Sequence, residues 1–185
     1  MKIVVIDNKS RISIRPDNAV LRNNDDFYMP HFSQDIVCSY GYVVRITRLA
    51  KCIATKFASR CYDSVTAGVT FIARDTMQEA LKNGLPTDEA YCFDHSTAIG
   101  TEWFTPEQLT GECSLNLHIG DVSHSTTHSN VIEIIDQCLS DISNKLTLKT
   151  GDLIFISSDS VNSVKEGDTI NVTINNTTTL NFQIK

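Results

Sequence analysis

The chain has 185 residues, 41% of them hydrophobic and 21% charged, which is the composition of an ordinary globular domain. Sixteen Lys and Arg against 22 Asp and Glu leave a formal charge of −6, which offers no basic footprint for nucleic acid or an anionic membrane surface. No apolar run approaches the roughly 18 residues that a membrane helix needs, and the opening stretch from Met1 to Ile6 is too short for a signal-peptide core before Asp7 interrupts it.

A single cytoplasmic domain spanning 1–185 is therefore expected, long enough to bury a sizeable core. Lys2–Ile6 reads as a buried opening strand. Residues 7–34 are polar and turn-rich, with Pro16-Asp17-Asn18 and Asn23-Asn24-Asp25-Asp26, and predict irregular structure around one short strand. The β-branched and aromatic mix of Val37–Leu49 predicts a long strand. Lys51–Ala58 predicts a helical turn or two, and Asp63–Ile72 another strand. A helix over Asp75–Asn83 should end at Gly84. Thr105 and Pro106 open a short helix, as cap and first residue.

Ser114–His118 and Asp121–His124 predict two strands around Ile119-Gly120. Asn130 caps an amphipathic helix in which Val131, Ile134, Ile135, Cys138, Ile142 and Leu146 recur at helical spacing. Leu153–Ile156 reads as a buried strand, and Thr169–Asn175 with Thr179–Ile184 as a terminal hairpin about an Asn-rich turn. The fold class expected is α+β, rich in strand.

Six cysteines are spread widely with no C-x-x-C pair and no export signal, so they read as reduced packing residues. The sequons at Asn171 and Asn175 carry no weight in such a chain. There is no phosphate loop, dinucleotide fingerprint, Gly-x-Ser-x-Gly or H-E-x-x-H. His124 and His128 would act together only in a helix, which Ser125-Thr126-Thr127 opposes. Arg74-Asp75 reads as a cap with an ion pair, and Asp25-Asp26 as a solvated turn.

Five segments in order nevertheless resemble the fumarylacetoacetate hydrolase family. These are Arg15-Pro16-Asp17-Asn18-Ala19-Val20-Leu21, the strand Tyr42–Leu49, Val69–Asp75 against "D-x-x-A-R-D", Phe93–Gly100 against "K-x-F-D … G", and Lys149–Phe155 with Lys165–Asp168 against the late "G-D" block. The resemblance implies an FAH-like mixed β-roll, usually a homodimer, and Mg²⁺- or Mn²⁺-dependent chemistry on oxo-acids. In that chemistry a metal held by three carboxylates stabilises the enolate formed when a C–C bond breaks.

By the same resemblance the three carboxylate positions fall on Ser39, Gly41 and Thr70, and the lysine of "K-x-F-D" on Tyr91. The segment carrying the family's general-base histidine and lid is missing after Ile6. The late "T-G-T-P" turn reads Ile156-Ser157-Ser158-Asp159. The leading expectation is thus a catalytically inactive family member with no resident metal. It would work as a homodimer, or as a hetero-oligomer that regulates an active paralogue. A second reading is a hydrolase, isomerase or decarboxylase of 2-oxo acids with a site rebuilt from Asp35, Asp75, Asp94 or His95. A third is an organic-anion binding module lined by Arg15, Tyr91, Ser157 and Ser158.

Overall fold

The computed structural model describes residues 1–158 and 160–185; Asp159, the last residue of the late turn, lies outside them. In chain order the first strands are β1 (Lys2–Ile6), β2 (Ile12–Pro16), β3 (Val20–Leu21), β4 (Ile36–Ile46), β5 (Tyr62–Ala73) and β6 (Thr97–Ile99). They are followed by β7 (Cys113–Ile119), β8 (Val122–His128), β9 (Leu153–Ser157), β10 (Asn162–Ser163), β11 (Thr169–Ile174) and β12 (Thr177–Gln183). Two α-helices, α1 (Arg74–Lys82) and α2 (Val131–Lys145), complete the α+β fold.

The strands form two sheets. The larger runs β2-β1-β9-β4-β5-β6-β3, with β10 added to β4, and the smaller runs β12-β11-β7-β8. Every residue of β4 except Arg45 is buried, the signature of a strand covered on both faces. Alternation sorts the two sets of side chains. Tyr40, Tyr42 and Val44 join Leu115, Leu117, Val172 and Leu180 in the main core between the sheets. Val43 joins Ile3, Val5, Leu153 and Phe155 in a second, smaller core on the opposite face.

That second face is the inside of a roll. Arg15 sits on edge strand β2, yet its Nη1 donates to the carbonyl oxygens of Phe71 and Ser96 and to Thr97 Oγ1, near the far edge of the same sheet. A flat sheet would hold these strands many ångströms apart, because neighbours lie about 4.8 Å from one another. The sheet therefore curls, and Arg15 ties its two edges together.

The helices follow their sequence signals. Asn130 Oδ1 accepts the Glu133 amide at 3.3 Å and starts α2. The buried stripe of α2 is Val131, Ile135, Leu139 and Ile142, whereas Ile134 and Cys138 are only half-buried at its margin. Helix α1 ends at a left-handed Gly84, φ +67°, as glycine's freedom allows. Asp75 is not its cap residue but lies in the first turn, accepting from Ser33 Oγ (2.6 Å), the Gln34 amide (2.8 Å) and the Thr76 amide (2.8 Å). Arg74 pairs instead with Asp35, through Nε at 2.6 Å and Nη2 at 2.8 Å. The segment over 51–60 is a 3₁₀ helix, Thr55–Arg60, and Thr105-Pro106 opens another, Pro106–Leu109. His124 and His128 lie in β8, where residues four apart share a face but stand about 13 Å apart, too far for one metal ion.

Asp152 closes the start of the roll. Its carboxylate accepts from the Lys2 amide (3.1 Å), the Lys149 amide (2.8 Å) and the Lys2 ammonium, with which it forms an ion pair. Burial alone would raise its pKa, but these donors outweigh burial and hold it below the usual carboxylate value. A depressed folded pKa gives stability that is complete above the unfolded value near 3.8 and is lost as pH falls through the folded one. Asp152→Asn is expected to cost about 2 kcal/mol at neutral pH. Urea titrations at pH 7 and pH 3 should show the gap between variant and wild type closing at the lower pH.

Candidate functional site

The antiparallel register of β4 and β5 sets Ser39 opposite Thr70 and Gly41 opposite Gly68. These positions, where the resemblance puts the family's carboxylates, do share one face, the inside of the roll. Ser39 and Thr70 are 4% and 2% exposed. The Ser39 hydroxyl lies 2.8 Å from Ser157 Oγ and donates to the Ser158 carbonyl oxygen at 3.0 Å. It fills the gap between Ser157, where β9 ends against Gly41, and β10, which pairs with β4 again at Cys38. Thr70 Oγ1 is buried with no hydrogen-bond partner among the described residues.

Gly41 is a close-approach glycine. A Cβ there would lie deep inside the Ile156 carbonyl oxygen, 2.8 Å from Ile156 C and 3.0 Å from Phe155 Cε1. The Phe155 ring lies over both Gly41 and Gly68, and a Cβ on Gly68 would meet its Cε2 at 2.9 Å. Two facing glycines thus make the slot for one aromatic ring, a reason for glycine that the sequence could not show. No carboxylate side chain fits at 41 while β9 lies where it does.

The four residues expected to hold an anion do not form one cleft. Arg15 is 1% exposed and directed at carbonyl oxygens, with the Tyr91 ring 5.6 Å from its guanidinium carbon. Burial depresses its pKa to about 10, so it stays protonated at neutral pH. Its role is to brace the roll, and Tyr91 covers it. Ser157 and Ser158 stand beside Ser39 at the end of β9, away from Arg15, and also border a separate cleft next to β4 and β9. The acids considered for a rebuilt site are engaged and scattered. Asp35 holds Arg74, Asp75 holds the Ser33–Gln34 turn, and Asp94 accepts from the Asn18 amide beside His95, whose own amide donates to the Asn18 carbonyl.

The cleft has a volume of about 1190 Å³ and runs between α2, β8 and the β4–β9 surface. Tyr42, Leu115, Ile134 and Ile156 form its apolar floor. The His128 ring packs against Tyr42 with centroids 5.8 Å apart, and burial depresses the His128 pKa, so the ring is neutral at pH 7. Burial also raises the Cys138 thiol to about 11, leaving it un-ionised. Sequence reasoning missed this cleft because its walls come from residues more than a hundred positions apart. The one local signal was that Ile134 and Cys138 overfill the buried face of α2.

The family model "Fumarylacetoacetate (FAA) hydrolase C-terminal" matches residues 5–185, and the chain belongs to that family. Among solved structures, a fumarylacetoacetate hydrolase family protein from Yersinia pestis is similar at TM-score 0.86 and 19% identity, over 100% of this chain and 92% of that one. Fumarylpyruvate hydrolase from Pseudomonas aeruginosa, solved with Mn²⁺ and pyruvate, gives TM-score 0.86 at 15% identity over 100% and 89%. The 5-carboxymethyl-2-hydroxymuconate delta-isomerase from Mycobacterium smegmatis gives 0.81 at 17% over 99% and 78%. No curated protein matches the chain. At such low identities, the TM-scores establish the shared FAH-like fold and nothing more. Among the described residues, no helix is long and apolar enough to cross a membrane.

Proposed function

We propose that this chain keeps the family's β-roll while having given up its metal-dependent chemistry, and that it works as a non-catalytic member. The observation that carries this reading is the pair Ser39 and Thr70, facing each other inside the roll where two of the carboxylates are expected. Hard divalent cations require anionic oxygen donors. Two neutral hydroxyls beside a glycine that admits no side chain do not fit Mg²⁺ or Mn²⁺. Tyr91 at the expected lysine position stacks on Arg15 and supplies no cation.

The role left to such a scaffold is association with a second copy or with an active family member. Edge strand β2, which has no outer neighbour and exposes Ile14 at 47%, supports that role. Purified protein supplied with millimolar Mn²⁺ is expected to give no turnover of fumarylpyruvate or oxaloacetate above the metal-only background. Turnover abolished by Asp35→Asn or Asp75→Asn would establish a rebuilt, catalytic site instead. Sedimentation of the chain alone, and mixed with an active family member, reads out the association.

A further inference from the structure

We infer that the cleft between α2 and β8 is a binding site for a small organic cation, an amine with an apolar body. This does not rest on the loss of metal chemistry and stands or falls separately. The volume, about 1190 Å³, is ample for a small molecule, and the half-buried Ile134 and Ile156 present apolar surface to it above the buried Tyr42 and Leu115. The charge of its walls selects the occupant. Glu133, Asp136 and Asp141 line the cleft from α2, and Asp7, just after β1, lines it as well. Asp7 is neutralised by Arg11 at 2.6 Å. Among the described residues that line the cleft, a single cation, Lys56, offsets the other three, since His128 is neutral.

None of these three has a cationic partner of its own among the described residues. Asp136 accepts only the Tyr62 hydroxyl (2.9 Å), and Asp141 only the Gln137 amide (2.9 Å). Burial pushes the Asp136 carboxyl upward in pKa, against the lowering effect of the Tyr62 hydroxyl. An ammonium group set among these carboxylates, with its hydrocarbon over Ile134 and Tyr42, would relieve that deficit and cover the floor. An anion of the same shape would meet net negative charge. The geometry therefore opposes an oxo-acid in this cleft.

The test uses a matched pair of probes, phenethylammonium and 3-phenylpropionate, titrated into the full chain by calorimetry and by amide NMR shifts. Saturable binding of phenethylammonium is expected, with shifts confined to α2, β8 and the end of β9. Binding should weaken about five-fold for each of Glu133→Gln and Asp141→Asn, and as salt is raised. Ile134→Trp, which fills the cleft without removing a charge, should abolish it. No saturable binding, equal binding of the anion, or affinity untouched by Ile134→Trp in a folded variant would overturn the assignment.

Discussion

Gly41→Ala is expected to destabilise the protein by at least about 3 kcal/mol, because the added methyl must displace the β9 backbone rather than a flexible side-chain tip. At this chain length each kcal/mol moves the melting temperature about 2–4 °C. The loss should therefore be visible by differential scanning calorimetry as a drop of about 6 °C or more. Gly68→Ala should be somewhat milder, since its contacts, Val43 Cγ2 at 2.6 Å and the Ala98 carbonyl oxygen and Phe155 Cε2 at 2.9 Å, are less close than the Ile156 carbonyl oxygen at Gly41. Gly84→Ala is the control: nothing lies within 4 Å, and only the left-handed backbone opposes it, for about 1 kcal/mol. A melting temperature for Gly41→Ala within about 2 °C of wild type would mean that β9 does not press against β4 as described.

Arg15→Ala is the second large effect. It removes three hydrogen bonds between opposite edges of the rolled sheet and leaves a void beneath Tyr91. A loss of about 2–4 kcal/mol is expected, with faster amide exchange at β6 and at the Phe71 end of β5. Arg15→Lys should recover only part of it, because a single ammonium on a shorter reach cannot reproduce the guanidinium's spread of donors. Were Arg15 instead a ligand-binding group, Arg15→Ala would leave the melting temperature unchanged and abolish binding of small carboxylates.

These two residues also show where the sequence stops being informative. Lys2–Ile6, Val131–Lys145 and the terminal hairpin were legible because each carries its own period or turn chemistry. Asn175 and Asn176, for instance, take the left-handed angles, φ 48° and 68°, that an Asn-rich hairpin turn needs. Strands β3, β6 and β10, of two or three residues, carry no period and exist only because longer neighbours offer them partners. The five family segments pointed correctly to the fold. Neither the inward bracing by Arg15 nor the ring slot at Gly41 was legible, for a common reason: a residue's partner across a rolled sheet leaves no trace in local spacing. Arg15 was expected to hold an anion because a guanidinium can pair with a carboxylate bidentately. Here it faces inward, and Ser157 and Ser158 stand away from it.

Persistence of the family β-roll without the family's metal is tested most directly by a thermal-shift titration with Mn²⁺ and Mg²⁺, with and without oxalate as a mimic of an oxo-acid enolate. Native-state binding raises stability by about 2.7 kcal/mol at one hundred times Kd, about 5–10 °C for a chain of this size. No shift with either metal, alone or with oxalate, is the predicted result. A metal-dependent rise that oxalate enlarges would contradict the account and place a working cation site in this chain.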